Sequence, residues 1–383
     1  MGNQNSFVCP ICGNTDIHSI GILNGKLYCR RCISFKGEEV EHKHSYPKKA
    51  PIHLEYELSP EQKELSNKLV ENYKKGIDSL VFAVCGSGKT EIVLNVIRYA
   101  IEKGEKVGFA LPRRDVVIEI YGRFRNVFTS NSIVVVYGGN TKHLDGDLIC
   151  LTTHQLFRYE KYYDLLIVDE IDAFPYDGNK VLNAFLKRSL KGRCVMLSAT
   201  PSEETIKYFS KGNRAILRLN KRFHGYPLPV PRVIQKKKPF LHISYLLTIK
   251  NMISRSKQIF IFTPTIDICE KTFRLTSLFF KNGNYVHSKR QERIRIIDDF
   301  RKQKYMYLVT TAVLERGVTV KDLQVIVFLA NHQIYDSHAL IQISGRVGRK
   351  KEAPTGEIIY FCTENTLEIQ TSIKEIRKAN ESL

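Results

Sequence analysis

The sequence predicts an α/β protein built as two parallel-sheet lobes in tandem behind a small cysteine-rich module. Three observations carry that expectation. Short apolar runs rich in β-branched residues alternate with amphipathic segments, the texture of βαβ units. These runs form two series, divided at 219–239 by LNKRFHGYPLPVPRVIQKKKP, a stretch with four prolines and a basic run. Ahead of both series, two Cys-x2-Cys pairs are crowded into the first 32 residues. A chain of 383 residues has room for two such lobes and a small module. A hydrophobic share of 43% supplies their cores and excludes a disordered chain.

The module comes first. In FVCPICGNTDIHSIGILNGKLYCRRC, sixteen residues separate Cys9 and Cys12 from Cys29 and Cys32. Two such pairs supply four thiolates to a tetrahedral Zn2+, the closed geometry of a structural site with no position open for catalysis. Gly13 permits a tight turn after the second cysteine, and Asn24-Gly25 reads as a hairpin turn between strands. Two disulfides or a redox pair are the other uses of such cysteines. The N-terminus lacks the charged-then-apolar profile of a secretion signal, which favours zinc. His18 and His42 read as solvated loop residues. Cys85, Cys150, Cys194, Cys269 and Cys362, scattered through apolar runs, read as small core residues. The module is placed at 1–40, and a polar linker without periodicity at 41–55.

The first lobe is placed at 56–220, with strands at 80–84, 106–111, 133–137, 148–152, 165–168 and 194–197. A hinge follows at 221–236. The second lobe, 237–383, carries strands at 258–262, 285–287, 305–310, 324–328 and 357–361. No apolar run approaches the ~18 residues of a membrane-spanning helix, so the chain is expected in the cytoplasm. A formal charge of +20 points to a polyanionic partner, nucleic acid before an acidic membrane surface.

Within the first lobe, LVFAVCGSGKTE (80–91) reads as strand, glycine turn and helix, which places backbone N–H groups and a helix N-terminus around phosphates. Lys89 reaches the β- and γ-phosphates, and Thr90 holds Mg2+ through its hydroxyl. The full pattern opens on a further glycine where Ala83 stands. That position ends the strand and needs no positive φ. Gly86 and Gly88, either side of Ser87, remain where the backbone must approach phosphate. In YYDLLIVDEIDAF an apolar strand delivers Asp169 and Glu170 at its C-terminal end, Asp169 for Mg2+ and Glu170 to polarise an attacking water. An acidic pair alone is a common strand end; with the loop it defines an NTP-hydrolysing site.

Further motifs carry a family resemblance. Asp169-Glu170-Ile171-Asp172 resembles the DExD motif of superfamily 2 helicases and translocases. Ser198-Ala199-Thr200, TTAVLERGVT (310–319) and QISGRVGR (342–349) resemble later motifs of that superfamily, in its order. ALPRRDVV (110–117), LTTHQLF (151–157) and FIFTPT (260–265) resemble three more. The four-cysteine module, AVCGSGKTE, PRRDVVIEIYGRF, DEIDAFPY and ERGVTV together resemble one branch, the ComFA family of late-competence ATPases from naturally transformable Gram-positive bacteria. The resemblance runs over nearly the whole chain, which is somewhat shorter than is usual for that family.

What the resemblance implies goes further than the residues do. The fold becomes two RecA-like parallel-sheet lobes preceded by a zinc ribbon, with ATP and Mg2+ between the lobes. Gly86, Ser87, Gly88, Lys89, Thr90, Glu91 and Asp169 would hold the nucleotide from one side, Gly317 and Gln342 from the other. Gln62 would read the adenine; its plainer reading is a surface helix residue. Arg346 and Arg349 would act as arginine fingers on the γ-phosphate, and Ser198 and Thr200 would couple the carboxylates to the DNA side. Single-stranded DNA would lie against Arg113, Arg114, Thr152, Thr153 and His154, then Thr263, Thr310, Thr311 and Arg316. Such groups suit phosphates and give a sequence-independent grip. Tyr137 and Phe157 are the candidates for base stacking.

The implied work is pulling single-stranded DNA through a membrane channel into the cytoplasm. The channel and other cytoplasmic competence proteins are the implied partners, with attachment at the inner membrane face through them, and a homo-oligomer is left open. Two other classes stay open: another superfamily 2 helicase of replication-restart, repair or RNA type, and a non-catalytic scaffold. The long extra DNA-binding region of restart helicases finds no room here, and D-E-A-D and H-R-x-G-R-x-x-R are absent. Intact Lys89, Asp169, Glu170 and Arg349 speak against a relic.

Overall fold

The apolar runs form two all-parallel sheets. The computed structural model describes residues 7–35, 37–43, 45–54, 56–84, 86–171, 179–219, 222, 224–311 and 320–381. The chain divides into Met1–Ala83 with Gly88–Leu219, and Asn220–Leu383 with Val84–Ser87.

The N-terminal module is a hairpin of β1 (Ile20–Leu23) and β2 (Lys26–Cys29), paired antiparallel with Ile22 opposite Leu27. Asn24 and Gly25, both at positive φ, make the two-residue turn. The stretch expected as a linker lies along the first unit instead of standing free. Lys48 pairs with Asp147 at 2.7 Å, Ala50 is fully buried and the His53 N–H donates to the Val127 carbonyl at 3.0 Å, while Val40 at the end of the module bridges to Tyr159.

The first helix, α1 (Pro60–Lys74), opens on a capping box. Ser59 Oγ accepts from the Gln62 N–H at 3.2 Å, and Gln62 Oε1 accepts from the Ser59 N–H at 2.9 Å. There follow β3 (Asp78–Ala83), α2 (Lys89–Ile92), α3 (Leu94–Glu102), β4 (Val107–Leu111) and α4 (Arg114–Val127). A single residue, Val93, separates α2 from α3. Next come β5 (Ile133–Val136), β6 (Leu148–Thr152), β7 (Tyr163–Asp169), α5 (Lys180–Ser189), β8 (Leu190–Ser198), α6 (Glu203–Phe209) and β9 (Arg214–Leu219). The strands order as β5-β6-β4-β7-β8-β3-β9, every pair parallel.

Successive residues along these strands enter opposite cores. Val81, Phe109, Cys150 and Ile167 join one, and Leu80, Ala110, Ile149 and Leu166 the other. Both faces are covered, which is why the strands read as continuous apolar runs without polar alternation. The second of these cores also contains Cys9, Cys12, Cys29 and Cys32, with Phe35 and Val40 packed against it. The small module is thus continuous with the lobe.

In the second unit, β10 (Arg232–Gln235) precedes α7 (Phe240–Ser254), β11 (Gln258–Phe262), α8 (Ile266–Phe279), β12 (Gly283–Val286), α9 (Arg293–Arg301) and β13 (Tyr307–Thr310). Then come β14 (Leu323–Phe328), α10 (Ser337–Ser344), β15 (Ile358–Cys362) and α11 (Leu367–Glu381). The sheet order is β10-β15-β14-β11-β13-β12, again all parallel. β10 falls inside 221–236, the stretch expected as a hinge. It is an edge strand, needing one partner only and tolerating polar side chains, so prolines and charge concealed it. Among the described residues no helix is long and apolar enough to cross a membrane.

Candidate nucleotide and nucleic-acid site

Because all strands of the first sheet are parallel, their carboxyl ends lie along one edge, where α/β proteins bind ligands. Read across the sheet, that edge carries Thr152 at β6, Arg113 after β4, Asp169 at β7, Ser198 at β8 and the glycine loop after β3. The strand order alone brings together candidates drawn from five separate stretches of sequence.

Gly88 is the N-cap of α2 at φ +80°, and no side chain caps the helix. Gly86 sits at φ +81°, and Ser87 between them is fully buried. A Cβ built on Gly88 would collide with the amide nitrogen of Gln62 and lie 3.2 Å from Glu91 Oε2. The closeness leaves a backbone cradle that any side chain would fill, and with an uncapped helix start it fits a phosphate chain. Lys89 and Thr90 open the helix beside it, both half-buried. Ala83 closes β3 in the core, 1% exposed, with no call on a positive φ.

Gln62 is not the surface residue of its plainer reading. It is 4% exposed, its carbonyl oxygen capping α1 while its amide nitrogen stands by Gly88. Glu91 Oε1 accepts from the Tyr56 hydroxyl at 2.7 Å and from Arg123. Burial first, and then the Glu91 carboxylate, pushes the Tyr56 hydroxyl up to about 12, so it remains a donor. These side chains border a cavity of about 550 Å3 lined also by His53, Leu54, Thr90 and Leu94. Tyr56 and Arg123 were not among the expected residues. No spacing rule links them, and they meet only through Glu91 at the cavity that Ile52, His53 and Leu54 also line.

Asp169 is 8% exposed at the end of β7. The Glu170 N–H donates to Asp169 Oδ1 at 2.8 Å and to the Leu197 carbonyl at 3.1 Å. Glu170 itself holds φ +59°, the left-handed region that costs a non-glycine residue on the order of 1–3 kcal/mol. Ser198 is fully buried and its Oγ accepts from the Thr200 N–H at 3.0 Å. Ser198 ends β8, which lies between β7 and β3 in the sheet.

On the β4 and β6 side, the Arg114 guanidinium lies over the Tyr137 ring at 4.5 Å, and Arg113 is half-buried. Thr152 and Thr153 are buried and His154 partly so; burial holds the His154 imidazole below its ordinary value, hence neutral at pH 7. Phe157 is corrected as a stacking platform: it is 5% exposed and packs against Phe35 and Phe185.

In the second unit Thr263 and Thr310 do come together, but buried. Both hydroxyls donate to backbone carbonyls, Thr263 to Thr310 at 3.0 Å and Thr310 to Thr311 at 2.9 Å. They brace the ends of β11 and β13 and do not present hydroxyls to phosphate, which corrects that expectation; Thr311 is buried beside them. Gln342 and Arg346 are buried at the end of α10, and the Arg349 Nε–H donates to the Gly345 carbonyl at 2.8 Å. Arg222 and His224 grip the same turn, bonding the Val347 and Gly348 carbonyls at 2.9 and 2.8 Å. Both lie in the stretch expected as a hinge, and no motif marks them. Cys85, Asp172, Arg316 and Gly317 lie outside the described residues.

The four module cysteines are free thiols, buried, with all sulfurs within 4.8 Å of one another. Cys9–Cys32 at 3.5 Å and Cys12–Cys29 at 3.7 Å approach the edge of about 3.8 Å that a tetrahedron of ~2.3 Å Zn–S bonds requires. Desolvation pushes the Cys12 thiol up to about 11 and Cys32 well above its ordinary value. Burial also pushes Cys29 up, but the Arg31 N–H and neighbouring thiols outweigh it and hold it low. A cation is what would settle four such sulfurs as thiolates in one place, so the donor set fits Zn2+.

Comparison with known proteins places this architecture. One family model, described as type III restriction enzyme, res subunit, matches residues 55–203, and another, helicase conserved C-terminal domain, matches 241–351. The solved structure of S. cerevisiae Dbp5 bound to RNA and ADP BeF3 superposes with a TM-score of 0.64 at 19% identity, covering 83% of this chain and 91% of that one. Fold and motif residues thus define a helicase-type ATPase of superfamily 2. Competence protein ComFA of Bacillus subtilis (strain 168) is 34% identical over 403 residues, 99% of this chain and 87% of the relative. ComFA of Streptococcus pneumoniae is 33% identical over 389 residues, 97% and 90% of the two chains. The chain belongs to the ComFA family.

Proposed function

We propose that this chain is an ATP-driven motor that moves along single-stranded DNA and draws transforming DNA into the cytoplasm. The observation that carries the reading is the order of carboxyl ends along the first sheet. The glycine loop follows β3, the acidic pair ends β7, and Arg113, Arg114, Tyr137 and His154 follow β4, β5 and β6. The proposed phosphate loop and the proposed cationic, aromatic face thus follow strands of one sheet, with the acidic pair at the end of a strand between them.

Lys89, the loop N–H groups and Thr90 would hold the phosphates, and Asp169 with Thr90 would hold a Mg2+ that would offset the phosphate charge. Glu170 orients and deprotonates the water that attacks the γ-phosphorus, releasing ADP and phosphate. By the family resemblance, Arg346 and Arg349 would stabilise the charge that develops in transfer. The adenine lies in the cavity beside Thr90, against Tyr56 and Leu54, with the Gln62 amide at its edge. Zn2+ on Cys9, Cys12, Cys29 and Cys32 cross-links the module. DNA-uptake channel components and other competence proteins are the proposed partners, and the inner face of the cytoplasmic membrane the place of action.

The test is the ATPase rate with single-stranded DNA, duplex DNA and RNA, for wild type and Lys89→Ala. Single strands should stimulate most, and Lys89→Ala should abolish turnover in every case. Equal rates with and without any DNA would remove the motor reading.

A further inference from the structure

The small module does more than fold beside the first lobe. Its contacts converge on the 3-10 turn Thr153–Arg158 that follows β6, the segment assigned above to the nucleic-acid face. Phe35 stands three residues past Cys32, and its N–H donates to the Cys32 carbonyl at 2.9 Å, so the cysteine knuckle fixes where its ring goes. That ring stacks on His154, centroids 5.9 Å apart and planes 19° from parallel, and meets Phe185 edge-on at 5.0 Å.

The next residues continue the contact. Arg158 donates to the Glu38 carbonyl at 3.1 Å, and the Val40 N–H to the Arg158 carbonyl at 2.8 Å. Arg188 pairs with Glu39 and Glu160 at 2.9 Å and donates to the Phe157 carbonyl at 2.7 Å. A Cβ on Gly37 would collide with the Arg158 guanidinium, so the strap lies close.

A 3-10 turn of six residues has poorer hydrogen-bond geometry than an α-helix and relies on packing to keep its shape. This one also buries the Thr153 hydroxyl without a hydrogen-bond partner among the described residues. The packing that compensates comes from 35–40. Those contacts fall beyond β6, four strands from β3 and its glycine loop in the sheet order.

We propose that Phe35 is a positioning residue through which the metal-bound module sets the turn that carries His154 for single-stranded DNA. Metal occupancy is then read out as grip on DNA and not as nucleotide chemistry. The proposal rests on the nucleic-acid face assigned above, and its test separates the two.

The full chain is compared as wild type, Phe35→Ala and Phe35→Tyr. Zinc content, basal ATPase, binding of a fluorescent oligo-dT strand, and the strand concentration giving half-maximal ATPase are measured for each. Phe35→Ala should keep its zinc and basal ATPase while strand affinity falls about three- to tenfold, the range an aromatic pair contributes. The half-maximal strand concentration should rise in step with kcat at saturation unchanged, and Phe35→Tyr should restore both. Unchanged strand affinity in Phe35→Ala overturns the proposal. So does a parallel loss of basal ATPase, which would mean general destabilisation. If His154→Ala with Arg114→Ala also leaves strand binding intact, the face assignment fails and the proposal with it; if that pair weakens binding and Phe35→Ala does not, the proposal alone falls.

Discussion

At Gly88 the backbone sits at φ +80°, with the Gln62 amide nitrogen where a Cβ would go and Glu91 Oε2 at 3.2 Å from it. Gly88→Ala therefore meets two obstacles, left-handed strain of about 1–2 kcal/mol and displacement of Gln62, whose other end caps α1. Nucleotide affinity should drop by about tenfold or more with a lowered Tm, read by titration with a fluorescent nucleotide; wild-type affinity would argue that the loop does not hold phosphate. Ala83 illustrates the opposite case, since the pattern's missing glycine falls on a buried strand end. Residues such as Lys89, Asp169 and Ser198 were legible because local sequence fixes their place, Lys89 at a helix start and the other two at strand ends. Gln62 was half legible: Ser59-x-x-Gln62 is a visible capping box, yet its position against Gly88 depends on α1 packing beside β3. Thr263 and Thr310 were misjudged because burial is set by strands distant in sequence, and a Thr at a strand end looks the same either way.

At the scale of elements, the central strands were all expected, while of the edge strands β5 and β12 were and β9 and β10 were not. β6, β7 and β14 are buried on both faces and spell unbroken apolar runs. β9 and β10 lie at sheet edges, where RAILRL and RVIQ mix charge with apolar residues, and neither stood out. The proline-rich stretch around β10 is likewise more than a connection. Leu228 exchanges hydrogen bonds of 2.8 and 2.9 Å with the Asn380 side chain, and Arg222 with His224 holds the turn between Arg346 and Arg349. Arg222→Ala should loosen that turn and lower kcat about tenfold or more while nucleotide affinity changes little, the pattern of an interaction realised mainly in the transition state. Steady-state kinetics checks it: a rise in KM with kcat intact would assign Arg222 to ground-state binding. Phe35 against His154 was invisible to sequence reasoning because the contact spans more than a hundred residues.

For the whole molecule, two parallel-sheet units each have cores on both faces of the sheet, and a charge of +20 is spread over the chain. The cores explain why each unit can act as a rigid body, and the charge why a polyanion is the natural track. The central claim is that ATP hydrolysis moves this chain along single-stranded DNA. Its direct measurement is a stopped-flow series with end-labelled single strands of increasing length, recording the time for the protein to reach the label. The account predicts an arrival time that grows linearly with strand length, requires ATP and disappears in Lys89→Ala. Arrival that is independent of length, or that proceeds without hydrolysis, would contradict it.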